Sequence, residues 1–393
     1  MLLVPLNMSA QDEQLDSIDI SLLTCSPHEE IYSLYGHTAL RIKDNRAGGS
    51  DITVNYGMFS FGKPYFVLRF IFGLTDYEMG VEPFDAFCNF YHSFQSSITQ
   101  QTFNLTREEK KAILAAIDEN YRPENRTYRY NYFYDNCTTR ARDMVLSHIK
   151  GGLHFDGYKG ENARDTLVTY RDMIRQKCHH HPWAMFGNDM LLGIQADLPT
   201  TRLEQQFLPE NLLTDLEGTT RDFNGGKERQ KLTAAPVVLV EGGTQVVEED
   251  FPLTPHSVFL ILLAVTVAVT LIEAYSRKRL WWYDALLMLV CGLAGIVLTM
   301  MLFSQHPTVR VNLQLLLLNP LPLFFIVRMA RRAIRRQKDG QYAMWIVLIG
   351  LFLIGGLWQS YAEGMYLVAS SLLIRNVWCH IQQRCYANKK RKE

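Results

Sequence analysis

Tyr130-Asn131-Tyr132-Phe133-Tyr134-Asp135-Asn136-Cys137-Thr138-Thr139-Arg140-Ala141-Arg142-Asp143 is the stretch on which the reading of this chain turns. Aromatic residues lead in, a polar Asp135-Asn136 pair follows, and Cys137 then opens a segment of helical character, Thr138 to Lys150. Unpaired N–H groups and the positive end of the dipole at a helix start favour a thiolate over a thiol. Arg140 and Arg142 add positive charge nearby. A nucleophilic cysteine needs a base, and His37 in Tyr35-Gly36-His37-Thr38-Ala39-Leu40-Arg41-Ile42 is the best upstream candidate. Without that context the same cysteine is a small buried hydrophobe, as many free cysteines are.

Outward from this stretch, alternation of apolar and polar residues predicts strands at Ile18 to Cys25, Thr38 to Ile42 and Ile52 to Tyr56. The turn Asp44 to Gly49 makes the last two a hairpin, with His37 at the start of one strand and Asn55 on its partner. A side chain on that partner can hold the imidazole in one tautomer, as the third member of a Cys-His-Asn arrangement does. Period two puts either Asn55 or Tyr56 on the required face. Phe59 to Gly73 is aromatic and interrupted by Gly62 and Pro64, which suits a core or groove wall better than a membrane span. Thr106 and Glu109 form a capping box for a helix running to about Tyr121, and Thr127 to Tyr132 is strand-like. Phe186 to Gly193, Asp197 and Phe207 to Glu210 are expected to close the domain.

The chain has 393 residues, enough for two or three domains, and equal numbers of acidic and basic residues. That balance gives no pointer to nucleic acid. Seven cysteines are scattered without the paired spacing of a zinc ribbon or a thioredoxin motif. A disulfide among Cys25, Cys88 and Cys178 stays open. His179-His180-His181 follows Cys178, but consecutive residues cannot all face one ion, so a solvated loop is expected and neither metal nor cofactor is implied. Residues 1–10 are apolar and end in Met-Ser-Ala, which predicts the remnant of a signal peptide cleaved near Ala10. No basic n-region precedes them, so the true start is expected further upstream.

The expected organisation is an exported α+β domain at 11–217, a Gly-rich charged linker at 218–254, a helical membrane region at 255–380 and a basic tail at 381–393. Five apolar segments fall at about 256–274, 281–303, 311–328, 342–360 and 363–378. The first two and the fourth approach or exceed the ~20 residues that cross a bilayer. Pro320 and Pro322 interrupt the third, and the fifth is short enough to be re-entrant. Basic clusters at Arg277 to Arg279, Arg328 to Lys338 and Arg384 to Lys392 all fall on the cytoplasmic side if there are five spans. The N-terminal domain then faces outward, in agreement with the leader-like start. The loop Ser304 to Asn312 lies at that same outer surface, where His306 is either an interfacial polar residue or part of a substrate site.

The order His then Cys, with the cysteine in Asp-Asn-Cys at a helix start, resembles the circularly permuted papain-like group. That group includes exported cell-wall cysteine peptidases and the lecithin:retinol acyltransferases. More closely, LLTCSPHEEIYSLYGHTALRI, VNYGMF, FNLTREEK and YNYFYDNCTTRARD resemble the N-terminal exported domain of the Lnb-type lipoprotein N-acyltransferases of Bacteroidota. FGNDMLLG, HPTVRVNLQLLLLNPLPL and the multi-span C-terminal half are similar to that family's layout too. The resemblance covers nearly the whole chain, and its specific motifs are GHTALR and DNCTTR. It implies a permuted papain-like exported domain followed by an all-α transmembrane region, with Cys137 as nucleophile and His37 as its base. It implies a periplasmic catalytic domain at the bacterial inner membrane, a phospholipid acyl donor and a diacylated apolipoprotein acceptor. The role of Asn55 is a structural inference and is not carried by a motif.

The chemistry fits the residues. A thiolate attacks an ester carbonyl and leaves an acyl thioester. Asn136 or the Cys137 backbone N–H is placed to stabilise the oxyanion. Tyr35, Tyr134, Arg140 and His306 are the candidates for contacting substrate. The rival enzyme is a membrane-anchored cysteine peptidase or amidase acting on cell-wall peptides with the same pair. A rival of another class is a non-enzymatic membrane protein whose exported domain binds a partner. Five spans exceed what an anchor needs, which favours lipid chemistry over the peptidase.

Overall fold

β1 (Ile18–Cys25) is buried along almost its whole length, which fits a strand covered on both faces. The computed structural model describes residues 15–28, 30, 33–58, 64–65, 68–69, 72–156, 168–243 and 251–390. The leader-like residues 1–10 and most of the aromatic segment 59–73 lie outside these, as do the readings placed on them. The chain divides into one unit formed by 1–168 and 199–248 and a second formed by 169–198 and 249–393.

In the first unit, β1 pairs antiparallel with β2 (His37–Asp44), which pairs with β3 (Asp51–Met58). β4 (Asp76–Pro83), β5 (Ile98–Thr102), β6 (Thr127–Arg129) and β10 (Val237–Val240) complete a sheet of order β10-β5-β1-β2-β3-β4-β6. Ile20, Leu22, Leu40, Ile42 and Val54 point to one face. There they meet α2 (Arg107–Tyr121), α3 (Cys137–Leu146) and α6 (Pro209–Gly218) through Ile113, Ala141, Val145 and Leu212. Leu23, Cys25 and Ala39 point to the other face and pack on Phe87 and Tyr91 of α1 (Phe84–Ser93). β7 (Leu153–His154), β8 (Thr220–Phe223) and β9 (Glu228–Lys231) form a smaller sheet. A buried ion pair joins Arg221 of β8 to Glu109 of α2 at 2.6 Å.

The expected strands at Ile18, Thr38 and Ile52 are present, each bounded within two residues of its predicted ends. Thr106 caps α2, its hydroxyl accepting from the Glu109 N–H while Glu109 Oε2 accepts from the Thr106 N–H. The 218–254 stretch is not merely a linker. It supplies β8, β9 and β10, the last because Val237 to Val240 pair antiparallel with β5.

The second unit takes in residues expected to close the first. α4 (Tyr170–Lys177) and α5 (Pro182–Leu191) group with the C-terminal helices, not with the exported domain. Arg171 is fully buried and binds Asp189 at 3.0 Å and Asp197 at 2.9 Å. Asn312 donates to Met190 O at 2.8 Å, Gln314 to Asp189 O at 2.9 Å and Gln359 to Leu192 O at 3.2 Å. Buried backbone carbonyls need partners, and these amides supply them.

α7 (Pro255–Ser276) and α8 (Trp281–Met301) are long and apolar enough to cross a membrane. So is the stretch Pro307–Ile334, which is broken into turns at Pro307–Arg310 and Leu313–Leu316 followed by α9 (Leu321–Ile334). The third apolar segment, expected at about 311–328 and interrupted by its prolines, is thus broken in the structure as well. Pro320 stands at the cap of α9 and Pro322 in its first turn, where a missing N–H costs nothing. α10 (Gln341–Gly355) is apolar but has only 15 residues. α11 (Met365–Lys390) is one helix of 26 residues that runs on into the basic tail, so it is neither short nor separate from it. Arg375 of α11 binds Glu273 at 3.0 Å and Asp284 at 2.9 Å, tying α7, α8 and α11 together.

Candidate active site

His37 stands at the first position of β2 because Gly36 makes the turn before it. Gly36 has φ +76°, and a Cβ there would lie 2.7 Å from the Cys25 carbonyl oxygen, so only glycine suits the position. Cys137 stands at the first position of α3, where its N–H has no acceptor within the helix. Thr38 of β2 and Thr138 of α3 are buried and joined through their hydroxyls at 3.1 Å, which holds strand and helix together one residue beyond each reactive side chain.

The imidazole is oriented from β3. His37 Nε2–H donates to Asn55 Oδ1 at 2.9 Å, leaving Nδ1 as the ring nitrogen available to the thiol. Tyr56 is the buried neighbour on the opposite face, in the core. Period two therefore resolves in favour of Asn55. Gly57 packs against the ring itself, and a Cβ there would sit 2.6 Å from His37 Cε1. The Tyr91 ring of α1 lies nearly parallel to the imidazole, with 6.2 Å between ring centres.

Burial by itself would raise the Cys137 thiol. The His37 charge, the hydrogen bond to His37, the Thr38 backbone and the Thr138 hydroxyl outweigh it and hold the thiol down at about 7. Burial by itself would lower His37, but the Cys137 charge, the bonds to Cys137 and Asn55 and the Glu82 carboxylate raise it. Each group favours the charged form of the other. Burial instead pushes Cys25 and Cys88 up, and both are free thiols, Cys25 in the cluster beneath α1 and Cys88 on α1 against that cluster. Cys178 is buried in the second unit, where its sulfur accepts from Asn188 Nδ2 at 3.6 Å.

Cys137, His37, Asn55, Asn136 and Tyr35 share one cavity of about 280 Å³. Much of its wall is aromatic. Tyr77 and Tyr130 stack at 4.1 Å, Tyr35 meets Tyr132 edge-on at 5.0 Å, and Phe90, Tyr91 and Phe207 add further rings, with Ser26, His28 and Ser33 among the polar groups of the lining. The sequence reading missed Tyr77, Phe90, Tyr91 and Phe207 as walls. Their signal is diffuse, because aromatic residues on strands and helices read equally well as core.

The other predicted site residues fall differently. Asn136 caps α3, its Oδ1 accepting from the N–H groups of Thr138 and Thr139, both at 2.9 Å. Its two amide hydrogens are used on Tyr132 O at 3.0 Å and Phe207 O at 2.9 Å, so the side chain has no donor left for an oxyanion. The Cys137 backbone N–H is then the donor that the helix start offers. Arg140 is engaged by Asp135 at 2.6 Å and lies over the Tyr128 ring, and Arg142 pairs with Asp143 at 2.7 Å. Neither is among the charges that hold the thiol down, and Arg140 is outside the cavity lining. Tyr134 is exposed and is also outside it. His306 belongs to the second unit, at the cap of the Pro307–Arg310 turn.

A family model described as the Lnb N-terminal periplasmic domain matches residues 7–176. A second, described as the Lnb transmembrane domain, matches residues 247–386. No curated protein and no solved structure matches the chain. The two matches connect the chain with lipoprotein biogenesis and identify a membrane protein with a periplasmic N-terminal domain. With both of its domains present in order on one polypeptide, the chain belongs to the Lnb family.

Proposed function

We propose that this chain is a thiol acyltransferase. It moves a fatty acyl group from a membrane phospholipid, through a thioester on Cys137, to the N-terminal amine of diacylglyceryl-cysteine on apolipoproteins. The observation that carries the reading is a thiol held down at about 7 beside an oriented histidine in an aromatic cavity. The Cys137 thiolate adds to the ester carbonyl, and the His37 imidazolium gives its proton to the departing lysophospholipid oxygen. The thioester and neutral His37 remain. The acceptor amine then attacks the thioester carbonyl, His37 takes the amine proton, and the thiolate leaves as the amide forms. Amines outcompete water at a thioester, and the aromatic rings that line much of the cavity favour transfer over hydrolysis.

In this reading the first unit is papain-like in arrangement and lies on the periplasmic side of the inner membrane. The C-terminal helices cross that membrane about five times with the basic clusters inside. His306 serves at the lipid surface. The experiment is mass spectrometry of the purified protein after incubation with phospholipid alone. The wild type is expected to gain the mass of one fatty acyl group, removable by hydroxylamine, and Cys137→Ala is expected to gain none. Acyl mass on Cys137→Ala, or N-acylation of an apolipoprotein by that variant, overturns the assignment. Cleavage of cell-wall stem peptides with phospholipid untouched favours the peptidase or amidase.

A further inference from the structure

Asn55 is held from two sides besides His37. Its Oδ1 also accepts from the Gly57 N–H at 2.9 Å, and its Nδ2 donates to Glu82 Oε1 at 3.2 Å. Thr53 pairs with Glu82 and Asn55 with Gly80, so Glu82 lies one diagonal step from Asn55 on the neighbouring strand β4. An ionised carboxylate only accepts hydrogen bonds and a backbone N–H only donates them. Of the two amide orientations open to Asn55, one satisfies both neighbours. That orientation presents Oδ1 to the imidazole. A carbonyl oxygen there requires hydrogen on Nε2 and leaves Nδ1 for the thiol. The reversed amide would set NH₂ against the Gly57 N–H and oxygen against the carboxylate, two repulsive contacts at once.

We propose that Glu82 is a positioning residue of the site: it locks the Asn55 amide so that His37 carries its proton on Nε2, and its negative charge supports the imidazolium. The inference rests on the Cys137–His37 reading and extends the pair to a relay of four, Cys137, His37, Asn55 and Glu82. Glu82 touches no substrate in it. The raised proton affinity of His37 agrees, since Glu82 is among its causes. The other titratable groups around the ring are Cys137 from α3, Cys25 from β1 and Tyr91 from α1. Burial holds the last two protonated near neutral pH, which leaves Glu82, bonded to Asn55 Nδ2 at 3.2 Å, as the carboxyl group nearest the pair in this network.

The test is the pH profile of Cys137 alkylation by iodoacetate on the full-length protein in detergent, which needs no acyl substrate. This anionic reagent reacts faster with a thiolate–imidazolium pair than with a thiolate beside neutral imidazole. The wild-type profile therefore rises as the thiolate forms and falls as His37 loses its proton. Glu82→Gln keeps the shape but loses the charge, and its amide can turn either face to Asn55. The falling limb is expected to move down by about one pH unit. Glu82→Asp, which keeps the charge, is expected to restore part of that shift. A residue that only braces β4 would lower the melting temperature and leave the profile in place. A Glu82→Gln profile that overlays the wild type while the wild type is bell-shaped overturns the Glu82 proposal and leaves the acyltransferase reading standing. A wild-type profile with no descending limb overturns the Cys137–His37 pair itself.

Discussion

At the scale of single residues, reactivity of Cys137 is decided by competition between burial and one partner. Burial raises a thiol and His37 lowers it, and the partner wins because the imidazole is aimed and charged. The sign can be followed through a substitution. In His37→Ala the burial stays and the compensating charge is gone, so the thiol is expected to titrate above the free-cysteine value of about 8.5. Thiolate at pH 7 then falls on the order of tenfold or more, and alkylation by neutral iodoacetamide should slow in proportion. In the wild type the same rate should rise through about pH 7. An unchanged midpoint in His37→Ala would assign the depression to the Thr38 backbone, the Thr138 hydroxyl and the helix start. Gly57 shows how tightly the aim is set, because the smallest added side chain would already press on the His37 ring.

At the scale of elements, the site is a seam between the start of β2 and the start of α3. The seam is held by Asn136, whose four hydrogen bonds cap the helix and fasten it to Tyr132 and Phe207. Asn136→Asp keeps the acceptors but cannot donate to the two carbonyls, and it puts a negative charge beside the thiolate. Lost bonds to buried carbonyls cost about 1–3 kcal/mol. A lower melting temperature and an upward shift of the Cys137 alkylation midpoint are both expected for this variant. Retention of the wild-type midpoint would mean that the cap has no influence on the thiol. The start of α3 was legible in the sequence as the segment of helical character that Cys137 opens. That the cap's amide is consumed by carbonyls from two loops was not, because Phe207 is 71 residues away along the chain.

At the scale of the whole molecule, the chain returns on itself. Residues 169–198 lie between two parts of the first unit in sequence yet pack with the second. Their carbonyls depend on Asn312, Gln314 and Gln359. A soluble fragment ending after Glu248 is therefore expected to lose the fold of Thr169 to Leu198. Limited proteolysis should cut there in the fragment and spare it in the full-length protein. Equal protection in both would show that the segment folds without those partners. Reporter fusions at Lys278, Thr308, Arg335 and Lys390 are expected to read in, out, in and in, as five spans require. An outward reading at Lys390 would remove the fifth span.

What the sequence determined by itself are the features written in local pattern. Alternation set β1 to β3, a capping box set α2, and long apolar runs set the first two membrane helices, because each depends on neighbours within a few positions. GHTALR and DNCTTR also named His37 and Cys137 before any geometry was known. The tertiary structure decided the rest. It chose Asn55 over Tyr56, since only strand pairing says which face of β3 meets the ring. It turned Asn136 from an oxyanion donor into a cap and neutralised Arg140 with Asp135. It moved 169–198 from one unit to the other, because buried carbonyls go where donors are and those donors stand more than a hundred residues downstream.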